Sequence, residues 1–180
     1  MISASEPIIQ NIKVGFRYEV KNTPSSSIRE RLQQKNSKNL HNFSVLRDKF
    51  VYSIFWTGGY VNITGIRNAN KIQEAQNHII ELLNLDCRQS AEIHNICASG
   101  KLSKAVNLER IRDYVSNNTK DKVILNLSFF PALFIKVRNF GTCVLYRNGK
   151  YSLVAVRKFE DLIPFISYIR NLICVSMRVQ

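Results

Sequence analysis

The four cysteines, Cys87, Cys97, Cys143 and Cys174, stand too far apart for a zinc knuckle, whose paired thiolates lie about two to four residues from each other. The histidines His41, His78 and His94 form no ligand pair at helical spacing. Asp86, Glu92 and Asp113 are scattered, and no glycine-rich phosphate loop or Ser-His-Asp grouping stands out. These residues predict no enzyme, no metal and no cofactor. What remains is binding chemistry. Lys and Arg number 26 against 13 for Asp and Glu, a formal net charge of +13. Such an excess calls for a polyanionic partner, nucleic acid first and an anionic membrane surface second. The basic residues are dispersed through segments with structural periodicity, which predicts a charged face rather than a basic tail. No run of about 18 apolar residues could span a bilayer. The opening MISASEPIIQNIK lacks a basic start followed by an apolar stretch, so no secretory signal is expected and the thiols should be reduced.

The elements that must position this charge are legible from periodicity. Hydrophobic residues make up 45% of the chain, enough for a packed core. Residues 7–20 read as a long strand, and Ser25 or Ser26 should cap a short helix over Ile28–Gln34. Lys35–Asn42 is polar and loop-like. Strands are expected at Phe43–Arg47, Phe50–Phe55 and Tyr60–Thr64, with Thr57-Gly58-Gly59 turning the last pair. A helix over Asn70–Leu85 should bury Ile79 and Ile80. A second series follows. Ala91–Ser103 is a strand, Asn107 caps a helix through Val115, and Val123–Leu127 has no clear role. Strands are expected at Ala132–Val137, Thr142–Arg147 and Tyr151–Val156. A last helix, Phe159–Cys174, should bury Ile166 and Ile169.

The order strand, helix, three strands, long helix thus occurs twice, and an internal repeat changes the fold expected. The anchors agree: QNI at Gln10–Ile12 recurs as HNI at His94–Ile96, and Phe55-x-x-Gly58 recurs as Tyr146-x-x-Gly149. The repeats are expected over 1–88 and 89–180. Strand alternation puts Val61, Ile63, Cys143 and Leu145 toward the helices and Tyr60, Asn62, Thr64, Val144 and Tyr146 on the opposite face.

Four stretches, IIQNIKV, AEIHNICAS, IFWTGGYVNITGIR and FFPALFIKV followed by VLYRNGKYSLVAVR, resemble the TATA-box-binding protein family in order and spacing, over nearly the whole chain. The resemblance, to a divergent member of the kind a large DNA virus encodes, implies an α+β fold. That fold is a two-repeat saddle of curved antiparallel sheet, about ten strands, with four helices on the convex face. It implies a promoter-DNA-binding transcription initiation factor that bends duplex DNA through the minor groove. A second possibility is a saddle-shaped protein-interaction hub that has lost sequence-specific binding. A third, a substrate-binding module of a nuclease or glycosylase, is disfavoured because two repeats fill the chain.

Matched residue by residue, the resemblance places Asn11 and Asn95 at the centre of the DNA site, with Asn62, Thr64, Val144 and Val154 beside them. Phe43, Phe55, Phe130 and Tyr146 correspond to intercalating phenylalanines, and Arg67, Lys136, Lys150 and Arg157 to phosphate contacts. The Phe43–Phe55 spacing is shorter than Phe130–Tyr146, which shortens the first loop near Arg47-Asp48-Lys49. Lys13 and Cys97 replace small apolar residues of the family, and Val154 stands opposite Thr64, so modest sequence preference and asymmetric bending are expected. The implied partners are A·T-containing double-stranded DNA, transcription factor IIB-like initiation factors and the RNA polymerase machinery. The implied location is the nucleus, or a cytoplasmic factory for a viral protein.

Overall fold

In the computed structural model, residues 2–35 and 37–178 are described, and they form ten strands and four helices. The chain divides into two compact units, one of residues 11–94 and one of residues from 95 onward together with those up to Gln10. The segment before Gln10 therefore packs with the second series. Ser5 N–H donates to Lys101 O, and Tyr151 Oη donates to Ser5 O at 2.7 Å.

The first unit holds β1 (Ile8–Arg17, from Asn11 on), α1 (Ser25–Gln33), β2 (Lys38–Asn39), β3 (Ser44–Arg47), β4 (Val51–Phe55), β5 (Tyr60–Ile66) and α2 (Ile72–Leu83). Its strands run in the order β2-β3-β4-β5-β1, each antiparallel to its neighbour. Ile12, Val14, Phe16, Leu46, Tyr52, Ile54, Val61 and Ile63 are buried on one face, where α2 packs against β5 and α1. Ile28, Leu32, Ile79 and Leu83 are fully buried helix positions, the i, i+4 stripes that amphipathic helices turn inward. Ile80 is only half-buried, because its place on the helix lies beside that stripe rather than on it.

The helix α1 starts at Ser25 rather than Ile28, and Pro24 is its cap, so neither serine caps it. The Ser25 hydroxyl donates instead to Trp56 O. The loop expected over Lys35–Asn42 contains the two-residue strand β2, paired with Val45 and Ser44. A polar network holds α2 to the β3–β4 turn. Glu74 accepts from Lys49 and from Lys71, the latter at 2.6 Å, and the two ammonium groups hold its carboxyl down at about 2. Tyr52 Oη meets His78 Nδ1 at 2.7 Å, and burial pushes that phenol up.

The second unit holds β6 (Glu92–Lys101, from Asn95 on), α3 (Leu108–Asn118), β7 (Lys122–Leu125), β8 (Ala132–Val137), β9 (Gly141–Tyr146), β10 (Lys150–Val156) and α4 (Leu162–Ser176). Its order, β6-β10-β9-β8-β7, repeats the pattern of the first. The Asn107 side chain accepts from Arg110 N–H and caps α3 as expected. Val123–Leu127 resolves into the edge strand β7, on which α3 packs. Ile96, Leu133, Ile135, Cys143, Leu145, Leu153, Phe165 and Ile169 are fully buried, and Ile166 nearly so. Burial pushes the Cys143 thiol up to about 12, so it is core filler and not a nucleophile. The architecture is α+β, with antiparallel strands and two helices in each unit.

Candidate nucleic-acid interface

Helices cover one face of the strands in each unit. The side chains alternating away from them form the other. In the first unit these are Asn11, Lys13, Gly15 and Arg17 of β1, Val45 and Arg47 of β3, Val51, Ser53 and Phe55 of β4, and Tyr60, Asn62 and Thr64 of β5. In the second they include Asn95, Cys97, Ser99 and Lys101 of β6, Lys122, Phe134, Lys136, Thr142, Tyr146, Lys150 and Val154. Across all ten strands Glu92 is the single carboxylate; the other acids lie in helices, turns and loops. The charge of +13 is therefore sorted by location: cations share the sheets with almost no acid.

Register sharpens this. Lys122 stands directly opposite Lys136, and Lys150 opposite Lys101. Like charges facing each other across a strand pair are destabilising. Among the described residues none of these four lysines, nor the exposed Arg67 and Arg157, has an ion-pair partner. Lys101 and Lys122 escaped the sequence reading because a lysine's value depends on what stands across from it. Arg47 is a third: its row, Arg47–Val51–Thr64, repeats the row Lys136–Thr142–Val154.

The two asparagines are held in the same way. On β5, the stretch Ile63–Ile66 opposes Val14–Ile12 of β1, which inserts one extra residue, a β-bulge. On β10, Leu153–Val156 opposes Ala98–Ile96 of β6 and does the same. Each bulge turns through a left-handed residue, Gly65 at φ 86° and Ala155 at φ 62°. The freed N–H of Gly65 donates to Asn11 Oδ1 at 2.7 Å, and that of Ala155 to Asn95 Oδ1 at 2.8 Å. A backbone N–H can only donate, so it fixes which end of each amide is oxygen. The amino end of each asparagine is left outward. Asn11 Nδ2 has no partner among the described residues, and Asn95 Nδ2 donates one of its two hydrogens to Cys97 Sγ at 3.4 Å. Both amides thereby present a donor outward.

The four matched aromatic residues lie in two pairs. Phe43 and Phe55 stack at 5.0 Å, and Phe130 and Tyr146 lie 6.1 Å apart. Phe130 is 40% exposed, whereas Phe43 and Phe55 are half-buried against each other. Phe129, which the sequence reading passed over, is 91% exposed beside Phe130. Thr64 and Val154 sit at the bulges, half-exposed. Two expected contacts are weaker. Val144 lies on the outer face but between Phe134 and Ser152 in register, and only 8% of it is exposed, so it offers a ligand little surface. Asn62 Oδ1 is sealed from solvent and has no partner among the described residues, which leaves only its amino group for any outside contact.

The strand order, repeated twice with its bulges and helices, is the TATA-box-binding-protein fold. Among solved structures the chain is similar to Methanococcus jannaschii TBP, with a TM-score of 0.65 and 18% sequence identity over 96% of this chain and 97% of that one. No family model matches the chain, and no curated protein does.

Proposed function

We propose that this protein is a promoter-DNA-binding transcription initiation factor that grips the duplex in the minor groove and bends it. The observation that carries this reading is the cation-bearing outer face of each sheet, with Glu92 as the lone strand carboxylate. Facing lysine pairs cost the free protein stability, and phosphates supply the missing counter-charge.

The donor-only asparagines support minor-groove contact with A·T pairs. There A·T and T·A offer only acceptors, while G·C adds a protruding amino group, itself a donor. Asn11 and Asn95 present amino ends, which suit the acceptors and meet the guanine amino group donor to donor. An asparagine free to rotate could serve either; the bulge N–H removes that freedom. Phe130, Tyr146, Phe55 and Phe43 serve as wedges at base steps, with Phe130 the most available. Unstacking a step costs a few kcal/mol and is offset by the added contact of bent DNA. The exposed helix faces are left for initiation factors and the polymerase machinery.

A salt titration tests the nucleic-acid part. Duplex affinity should fall steeply between about 50 and 200 mM salt, and Arg67→Ala or Arg157→Ala should each flatten the log–log slope by roughly one. An affinity indifferent to salt overturns the reading.

A further inference from the structure

We propose that the outer face of the first unit carries a stacking site for unpaired nucleotides of single-stranded DNA, built on Tyr60, His94 and Arg17. The two units differ most here. In the second unit the residue after the hairpin glycine is Lys150, facing Lys101 in register. In the first unit the matching residue is Tyr60, facing Arg17. A phosphate-type pair is thus replaced by a ring beside a guanidinium.

The ring is seated for this position. Gly15 lies beneath it, and a Cβ there would overlap Tyr60 Oη and crowd His94 Cε1. Tyr60 and His94 lie parallel, with centroids 6.1 Å apart and planes 6° from each other. The Tyr60 hydroxyl meets His94 Nε2 at 3.1 Å, which anchors the phenol. The Arg17 guanidinium stands over the Tyr60 ring, 5.7 Å from its centroid, so a base reaches that face by stacking on the guanidinium or by displacing this long, exposed side chain. Phe55 continues the row at 6.3 Å from Tyr60, and Phe43 stacks on Phe55. Beside Tyr60 and His94 opens a depression of about 240 Å³, lined also by Arg17, Gln89, Ser90 and Glu92.

These groups match the parts of a nucleotide. The rings offer a π face to a base, Arg17 a cation to its phosphate, and Gln89, Ser90 and Glu92 polar groups to its edge. In a duplex the base faces are hidden in the stack and only edges are offered. A ring platform therefore selects an unpaired strand. The site shares the outer face, and the Phe55–Phe43 row, with the proposed duplex contacts, but Tyr60 and His94 are neither wedges nor groove contacts in that reading, so a Tyr60 variant separates the two.

The test is fluorescence anisotropy with an unstructured, labelled single strand of about 20 nucleotides, alongside a duplex of the same length. The wild type should bind the single strand. Tyr60→Leu should weaken that binding about 5- to 100-fold, the worth of one stacked base, and Tyr60→Phe should restore it. Gly15→Ala, which closes the seat under the ring, should weaken it as well. In Tyr60→Leu the loss of duplex affinity should be several-fold smaller than the loss of strand affinity. Tyr60-dependent single-strand binding without duplex binding would uphold this site and overturn the promoter reading. Failure of the wild type to bind the strand, equal binding of a strand made of abasic residues, or an equal loss on strand and duplex in Tyr60→Leu overturns the site.

Discussion

In the first unit the bulge of β5 turns on Gly65 and Asn11 holds it; in the second the bulge of β10 turns on Ala155 and Asn95 holds it. The backbone device is the same, and the side chains around it are not. The first unit adds to Asn11 the residues Lys13 and Thr64 and the ring row Phe43–Phe55–Tyr60–His94. The second adds to Asn95 the residues Cys97 and Val154, two facing lysine pairs and the exposed Phe129 and Phe130. Backbone geometry, which aims the asparagines, is repeated, while the chemistry laid over it differs between units. The proposed duplex binding is therefore expected to be asymmetric between the two units.

The largest expected effect tests whether the scaffolds really are equivalent. Ile79 in α2 and Ile169 in α4 are both fully buried. Replacing either with Ala should cost about 2–5 kcal/mol, read from denaturant unfolding. A cost near zero at one of them would break the equivalence. Next come the wedges. Phe130→Ala should lower DNA bending, measured by energy transfer across an end-labelled duplex, and affinity by on the order of tenfold. Phe43→Ala should do less, because its ring is already stacked on Phe55. Equal bending by wild type and a Phe55→Ala/Phe130→Ala double variant would show that the aromatics are not wedges.

The bulges should respond in opposite directions. A residue with a Cβ pays about 1–2 kcal/mol in the left-handed region. Gly65→Ala should therefore destabilise by about that amount, and Ala155→Gly should stabilise by up to about 1 kcal/mol. Thermal unfolding reads both. The smallest effect is electrostatic. Lys122→Gln removes one of two facing ammonium groups, so the free protein should gain about 0.2–1 kcal/mol while duplex affinity falls and its salt slope flattens by roughly one. A variant that loses stability would show that the pair is not strained.

Much of this was legible in the chain. The strands with alternating apolar residues and the helices with i, i+4 stripes stand where periodicity puts them, because burial of one face dictates both patterns. The four aromatic residues were legible as matched positions, but that Phe43 meets Phe55 and Phe130 meets Tyr146 appears only in the structure. The two-residue β2 was not legible: Lys38 and Asn39 have no strand pattern and become a strand through Val45 and Ser44. The bulge at Ala155 was not legible either, since nothing in its residue type favours a left-handed turn. The asparagines were visible, but their donor-only state depends on a backbone N–H freed by that bulge. Lys101 and Lys122 mattered only once register set each against another lysine.

The central claim, that the protein reads the minor groove through donor groups, is tested most directly by inosine substitution. Inosine lacks the guanine amino group, so an I·C pair looks like A·T in the minor groove and like G·C in the major groove. Competition binding should be measured with three duplexes of one length, carrying A·T, G·C or I·C at the central pairs. The account predicts that I·C binds as A·T does, that G·C is weaker, and that Asn95→Ala narrows the gap. Binding of I·C at the level of G·C, with A·T set apart, would contradict it.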